Sequence, residues 1–90
     1  MPRPITVVAV TPDFIKSYRL LPARIQRLAE SKDQWFRIDA FDVRLKTHKL
    51  KGNLFGYWAY SVNRQYRVLF RFTGPHAALY LDAGTHEIYQ

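Results

Sequence analysis

The sequence predicts a single α+β domain in which helices cover one face of a β-sheet. Two observations predict this class. Apolar residues recur at helical spacing in the first half of the chain, whereas the half after Gly52 alternates apolar and polar residues with a period of two. A short β-branched run precedes the helical half. The predicted order is therefore one strand, the helices, and then three or four further strands.

The composition is that of one folded domain, residues 1–90, with 48% hydrophobic and 16% aromatic residues. The absence of cysteine excludes disulfides, thiolate zinc sites and cysteine nucleophiles. The sequence contains neither a secretory signal nor an apolar run of about 20 residues. We therefore expect a cytoplasmic protein with no membrane partner.

The charge is strongly positive: fourteen Lys and Arg against seven Asp and Glu give a net charge of +7 and a pI near 10.1. This bias favours a polyanionic partner, such as nucleic acid, an anionic membrane or an acidic protein. One stretch of the chain contains six cationic residues and no acid, so one part of the molecule should carry the positive field. These residues are Lys46, Lys49, Lys51, Arg64, Arg67 and Arg71.

The first half begins with a predicted strand over residues 5–10, a short run that is rich in β-branched residues. Thr11 is a favourable N-cap, and Pro12 suits the first position of the helix that follows. Helical spacing continues beyond Pro22, so this region is either a helical hairpin or one helix kinked at that proline. Residues 39–45 are predicted to be turn-like.

The second half is predicted to be a meander of strands at residues 57–62, 66–73 and 77–82. In the middle strand, aromatic and apolar residues occupy one face, and Arg67 and Arg71 lie on the other. An arginine on the side away from an aromatic row faces solvent or a ligand.

Three features of the sequence suit cleavage of RNA. They are the basic segment 47–52 with His48, the mid-strand Arg67, and His86 near the chain end. Such cleavage needs a proton acceptor, a proton donor and cations for the phosphate, which histidine, arginine and lysine supply. The sequence has no metal-ligand spacing and no phosphate-loop glycine pattern, so we expect no metal and no cofactor. The alternative for the basic segment is a solvated loop.

Three signatures give the chain a resemblance to the RelE/ParE superfamily of toxins from bacterial type II toxin–antitoxin modules, in the RelE/YafQ-like mRNA interferase branch. The resemblance covers nearly the whole chain and implies a small antiparallel-rich sheet of about four strands, with an N-terminal helical hairpin packed on one face. The signatures are His48-Lys49-Leu50-Lys51-Gly52, Tyr66-Arg67-Val68-Leu69-Phe70 and Gly84-Thr85-His86-Glu87-Ile88-Tyr89.

The resemblance implies a metal-independent toxin endoribonuclease that cleaves mRNA in the ribosomal A site by attack of the 2′-hydroxyl. The implied partners are a cognate antitoxin, mRNA and the ribosome, with operator DNA bound only through the antitoxin complex. Two alternatives stay open: a ParE-like inhibitor of DNA gyrase, and a catalytically inactive basic binding module.

The resemblance also implies roles for individual residues. His86 would be the general acid, His48 or a lysine the base, Arg67 and Lys51 the phosphate clamp, and Tyr89 a positioning group. The branch often has a further histidine and an acid near the middle hairpin, where this chain has Ser61 and Gln65. Further RNA contacts are expected from the remaining basic residues of this half, Lys46, Lys49, Arg64 and Arg71.

Overall fold

The computed structural model describes residues 1–54 and 56–89, and the side chains of Asn53, His86 and Tyr89 lie outside that description. The described residues form five strands, two α-helices and three short 3-10 turns. The strands are β1 (Val7–Val10), β2 (His48–Lys49), β3 (Trp58–Ser61), β4 (Tyr66–Gly74) and β5 (Ala77–Thr85). The helices are α1 (Pro12–Arg19) and α2 (Ala23–Ile38), and the 3-10 turns are Val43–Leu45, Gly52–Leu54 and His86–Tyr89.

The five strands form one mixed sheet in the order β1-β5-β4-β3-β2. Strand β1 is parallel to β5, and the other pairs are antiparallel. The predicted number of about four strands is therefore too low. The unexpected strand is β2, whose two residues lie in the basic segment and are too few to show an alternating pattern.

The start of α1 agrees with the sequence. The Thr11 side chain accepts a hydrogen bond from the backbone N–H of Phe14 at 3.0 Å, and Pro12 occupies the first turn. The Thr11 hydroxyl also donates to the carbonyl of Leu81 on β5, which fixes the helix start to the sheet. Helix α1 ends at Arg19 and α2 begins at Ala23, so Pro22 separates two helices.

The main core lies between the helices and one face of the sheet. Phe36 of α2 is fully buried and stacks on Tyr60 at a centroid distance of 5.0 Å. Its ring also meets the edges of Phe70 at 4.9 Å and Tyr80 at 5.7 Å. Burial of one such ring stabilises a fold by about 1.5–3 kcal/mol, so Phe36 is a main anchor of α2 on the sheet.

A chain of hydroxyl groups crosses this core. Tyr60 Oη donates to Tyr80 Oη at 3.0 Å, and Tyr80 Oη donates to Asp33 Oδ1 at 2.6 Å. Arg37 Nε donates to the other oxygen of Asp33 at 2.9 Å. Burial raises the pKa of both tyrosines, so the hydroxyls stay neutral donors. The chain of bonds fixes the rotation of α2 over the sheet.

The opposite face of the sheet, called the outer face below, carries a second and smaller hydrophobic cluster. Its buried members are Leu50, which follows β2, Ala59 of β3 and Leu69 of β4. Ile88 of the C-terminal 3-10 turn packs against them. The outer cluster therefore joins the segment after β2 and the end of the chain to the middle of the sheet. The other partly buried members are Leu54, Tyr57 and Leu81.

No helix within residues 1–54 and 56–89 is long and apolar enough to cross a membrane.

The close approach of Ile88 to Gly84 predicts that Gly84→Ala destabilises the protein. A Cβ at this position would lie 2.7 Å from Ile88 Cγ2, so the Ile88 side chain or the turn that carries it has to shift. We expect a loss of about 1–3 kcal/mol in the free energy of unfolding, measured by denaturant titration.

Gly74→Ala is the matched control, because a Cβ there lies 3.7 Å from Ala77 Cβ, an ordinary contact in the same sheet. Equal stability of the two variants would contradict the packing of the C-terminal turn on Gly84.

Candidate functional site

The register of the sheet brings several polar residues to the outer face. Arg67 of β4 lies opposite Ser61 of β3 on one side and opposite Gly84 of β5 on the other. His48 of β2 lies opposite Ala59 of β3. Residues directly opposite each other share a face, and so do residues two apart on one strand. His48, Ser61 and Arg67 therefore share the outer face.

His48 is exposed, and the geometry of its ring defines its chemistry. Nδ1 lies 3.0 Å from the backbone carbonyl oxygen of Lys46. A carbonyl oxygen only accepts hydrogen bonds, so Nδ1 must carry the proton. In the neutral ring, Nε2 then holds a lone pair and faces solvent. This arrangement suits His48 to remove a proton from a substrate.

The backbone before His48 is held in an uncommon conformation. Lys46 has φ 52° and ψ 38°, which is the left-handed region that few residues other than glycine adopt. This turn presents the Lys46 carbonyl to the imidazole. The neighbouring Thr47 hydroxyl donates to the carbonyl of buried Ala40 at 2.6 Å. The segment that leads into His48 is thus fixed at both Lys46 and Thr47.

Arg67 is half-buried and is oriented by the hairpin loop between β3 and β4. Its Nη1 donates to the carbonyl oxygens of Asn63 at 2.6 Å and Tyr66 at 3.1 Å. The Asn63 side chain in turn accepts from the backbone N–H groups of Gln65 and Tyr66, which fixes the loop. Within the described residues, Arg67 Nε and Nη2 make no hydrogen bond. Those donors are available for a phosphate group.

The cations of the basic segment 47–52 do not lie on one surface. His48 and Lys49 are consecutive in β2 and point to opposite faces. Lys49 lies opposite Trp58, with its Nζ 5.9 Å from the ring centroid, on the side of the main core. Lys51 is exposed and lies beyond the end of β2. The alternation of side chains along β2 therefore does not define the face on which Lys51 lies.

The two candidate residues near the chain end, His86 and Tyr89, have side chains outside the described part. Their backbone forms the C-terminal 3-10 turn, which follows β5 directly. Ile88 in the same turn packs into the outer cluster together with Leu50. The main chain that carries His86 and Tyr89 is therefore held on the face that carries His48 and Arg67.

The remaining predicted residues lie farther apart. Arg71 is exposed on the outer face, four residues along β4 from Arg67, or about 13 Å. Arg64 is exposed in the hairpin loop, and Lys46 is exposed before β2. Of the two departures from the family pattern, Ser61 is buried beside Arg67, whereas Gln65 is exposed in the loop.

Sequence reasoning missed three residues around this region. Lys32 of α2 and Arg44 of the turn Val43–Leu45 line a cavity together with Arg67. Asp82 lies opposite Leu69, next to a β-bulge, and accepts from the N–H of Ala83 at 2.8 Å. Arg44 lies just before the basic segment in sequence, whereas Lys32 and Asp82 come from distant parts of the chain, so no local pattern marks those two. No group of three or more His, Asp or Glu among the described residues is placed to hold a metal ion.

No protein-family model matches the sequence, and no curated protein matches it. Solved structures do match. A YoeB/ParE toxin from Agrobacterium tumefaciens superposes with a TM-score of 0.77 at 19% identity, covering 90% of this chain and 99% of that one. YafQ from E. coli superposes with a TM-score of 0.72 at 16% identity, covering 91% of this chain and 94% of that one. A chain of the RelBE2 toxin–antitoxin complex from Mycobacterium tuberculosis superposes with a TM-score of 0.73 at 20% identity, covering 96% of this chain and 93% of that one.

The chain has the RelE/ParE toxin fold. This fold explains part of the sequence signatures without any chemistry. Leu50 and Ile88 belong to the outer cluster, and Gly84 leaves space for Ile88. The imidazole of His48, in contrast, is exposed and contributes nothing to either hydrophobic cluster of the RelE/ParE fold.

The contact between His48 and Lys46 predicts the tautomer of the histidine. At a pH where the ring is neutral, we expect the proton on Nδ1 and the lone pair on Nε2. Long-range proton–nitrogen NMR spectra report this directly, and His48→Asn assigns the signal by its loss. His76 serves as an internal reference, because its Nδ1 lies 2.8 Å from the carbonyl oxygen of Pro4. A proton on Nε2 of neutral His48 would contradict the assignment.

Proposed function

We propose that this protein is the toxin of a type II toxin–antitoxin module and that it cleaves mRNA by attack of the 2′-hydroxyl on the adjacent phosphate. The proposal rests on one observation: His48 and Arg67 lie on the same face of the sheet. His48 presents an unprotonated Nε2 to solvent when it is neutral, and Arg67 has unused guanidinium donors. The first is a proton acceptor and the second is a phosphate clamp.

In the proposed reaction, His48 Nε2 takes the proton from the 2′-hydroxyl as that oxygen attacks the phosphorus. The bond from phosphorus to the 5′-oxygen breaks, and His86 supplies the proton to the leaving oxygen. The products are a 2′,3′-cyclic phosphate and a 5′-hydroxyl. Arg67 and Lys51 stabilise the charge that develops on the phosphate oxygens. Tyr89 positions the substrate by stacking on a base.

These groups supply the base, the acid and the cations from the chain itself, so the proposed mechanism is metal-independent and uses no cofactor. Lys46, Lys49, Arg64 and Arg71 add positive charge around the site, and the net charge of +7 favours a large polyanion. We infer that the natural substrate is mRNA on the ribosome, in the A site, which makes the protein cytoplasmic.

The proposed protein partner is a cognate antitoxin. The M. tuberculosis structure of the same fold is a toxin–antitoxin complex, which supports such a partner. Charge complementarity favours an antitoxin that is acidic where it covers the basic face. Operator DNA would then be bound only through the complex.

The deciding prediction concerns His48→Asn. An asparagine places an N–H donor where Nδ1 stood, so the bond to the Lys46 carbonyl can persist, but no base remains at the position of Nε2. We expect mRNA cleavage to fall about 10²- to 10⁴-fold. The measurement is mapping of new mRNA 5′ ends after brief induction of the toxin alone, with and without a block of translation.

His76→Asn is the matched control, because His76 makes the same type of Nδ1 contact but lies in the turn between β4 and β5. It should cleave like the wild type. Growth arrest with intact mRNA would favour the gyrase inhibitor of the ParE type, and absence of arrest would favour an inactive binding module.

A second prediction concerns Arg67→Lys, which keeps the charge and removes the planar fork. We expect kcat/KM for RNA cleavage to fall by at least about tenfold, or about 1.4 kcal/mol in transition-state stabilisation. Arg24→Lys on the exposed surface of α2 is the control and should not change the rate. Equal activity of Arg67→Lys and wild type would remove the guanidinium from the phosphate clamp.

A further inference from the structure

A basic cavity of about 200 Å³ lies beside the hairpin loop between β3 and β4. Helix α2 and the turn Val43–Leu45 form its other walls. Five of the eight lining residues are cationic, and none of the eight is acidic or aromatic. The cationic residues are Lys32, Arg44, Lys46, Arg64 and Arg67, and the others are Ser61, Val62 and Asn63.

Only one of these cations is neutralised by an ion pair among the described residues. Arg44 binds Asp42 through Nη2 to Oδ2 at 2.8 Å and Nε to Oδ1 at 3.0 Å. This hydrogen bonding lowers the pKa of Asp42 to about 2, so the pair stays charged at physiological pH. The other four cations make no ion pair within the described residues, although Lys32 lies near enough to Asp42 to help lower the pKa of that carboxyl. Like charges gathered around one cavity repel each other, and a bound anion would relieve that repulsion.

Two of the cavity cations without an ion pair, Lys32 and Arg67, are held in place by groups that do not cancel their charge. Lys32 Nζ lies 3.7 Å from the ring centroid of Trp35, and Arg44 Cζ lies 3.6 Å from it. Arg67 is held by the carbonyl of Asn63. Contacts with a ring face or a carbonyl orient a cation and leave its charge available to a ligand.

The lining also indicates the class of anion. Without an aromatic ring in the walls, the cavity offers no surface on which a base could stack. Its volume of about 200 Å³ leaves room for one phosphate group with water molecules around it. Ser61 and Asn63 add neutral polar atoms. These features fit a phosphodiester of a nucleic-acid backbone.

We propose that this cavity is a second phosphate subsite, which holds the RNA backbone at a phosphate next to the one that is cleaved. This inference rests on the proposed function, because Arg67 belongs both to the cavity and to the outer face that carries His48. It assigns Lys32 and Arg44, which the mechanism does not use, to substrate binding. The strand would run from the outer face around the hairpin loop towards α2.

The test uses a single-stranded DNA oligonucleotide, which has the same phosphates as RNA but no 2′-hydroxyl to attack. Its affinity is measured by fluorescence anisotropy over a range of salt concentrations. Loss of one phosphate contact should reduce the slope of log K against log salt by about 0.7. We expect this reduction for Lys32→Gln, together with weaker binding at low salt.

Lys16→Gln is the matched control, because it removes the same charge from exposed α1, away from the cavity. Its slope should equal that of the wild type. Lys46→Gly is a second test variant, since glycine adopts the left-handed conformation readily and keeps the carbonyl that binds His48. It should also lower the slope by about 0.7.

For RNA cleavage, Lys32→Gln should raise KM and leave kcat unchanged, because Lys32 lies away from the reacting atoms. The subsite would be overturned if Lys32→Gln and Lys46→Gly both gave the same slope of log K against log salt as Lys16→Gln. This outcome would count against the subsite whether or not the protein cleaves RNA. Reduced slopes in a protein that leaves mRNA intact would retain the subsite and reject the nuclease. The two proposals therefore fail by different measurements.

Discussion

The arrangement of the outer face depends on the small hydrophobic cluster of Leu50, Ala59 and Leu69, with Ile88 packed against it. Strand β2 has only two residues and lies at the edge of the sheet, so its own hydrogen bonds hold it weakly. Burial of Leu50 adds about 1.5–3 kcal/mol to that attachment. The same cluster holds the C-terminal turn through Ile88. Two segments far apart in sequence are thus placed on one face by a shared apolar contact.

The electrostatics of this face follow from how its cations are held. On the outer face Arg67 is oriented by a backbone carbonyl, and in the adjoining cavity Lys32 is held by an indole ring. An ion pair would orient these groups equally well but would cancel the field that attracts a polyanion. The described ion pairs join Arg37 to Asp33 and Arg44 to Asp42, and neither involves a cation of the outer face. Positive charge is therefore retained on the outer face, and Arg44 is the one cavity cation whose charge an ion pair cancels within the described residues.

The features that the sequence predicted correctly are those encoded by neighbouring residues. Thr11 and Pro12 define the start of α1, and the alternation of residues 66–72 defines the buried face of β4. The parallel pairing of β1 with β5 escaped prediction because it depends on the path of the chain through two helices. Strand β2 escaped because two residues cannot show a period.

The same division applies to the site. Arg67 was predicted to lie on the side of its strand away from the aromatic row, and the register confirms that side; its role as a site residue stays a prediction. Lys32 could not be identified, because on α2 it has the pattern of an exposed helical residue. It reaches the cavity only because Phe36 and the hydroxyl chain through Asp33 fix the rotation of α2. Its place near Arg67 is a property of the packed core.

The signatures that resemble the RelE/ParE toxins combine two kinds of constraint, and the structure separates them. Leu50 and Gly84 are explained by packing in this chain, so they need no role in chemistry. His48 is different, because its exposed ring is oriented by a strained turn at Lys46 and supports neither hydrophobic cluster. A left-handed lysine costs about 1 kcal/mol or more, and it persists only where the surrounding structure enforces it. Transfer of a proton from a 2′-hydroxyl needs a ring nitrogen with a free lone pair, which the Nδ1 contact of His48 leaves at Nε2. His76 makes the same kind of contact, so a defined tautomer alone does not indicate catalysis. What distinguishes His48 is its place on the face that also carries Arg67.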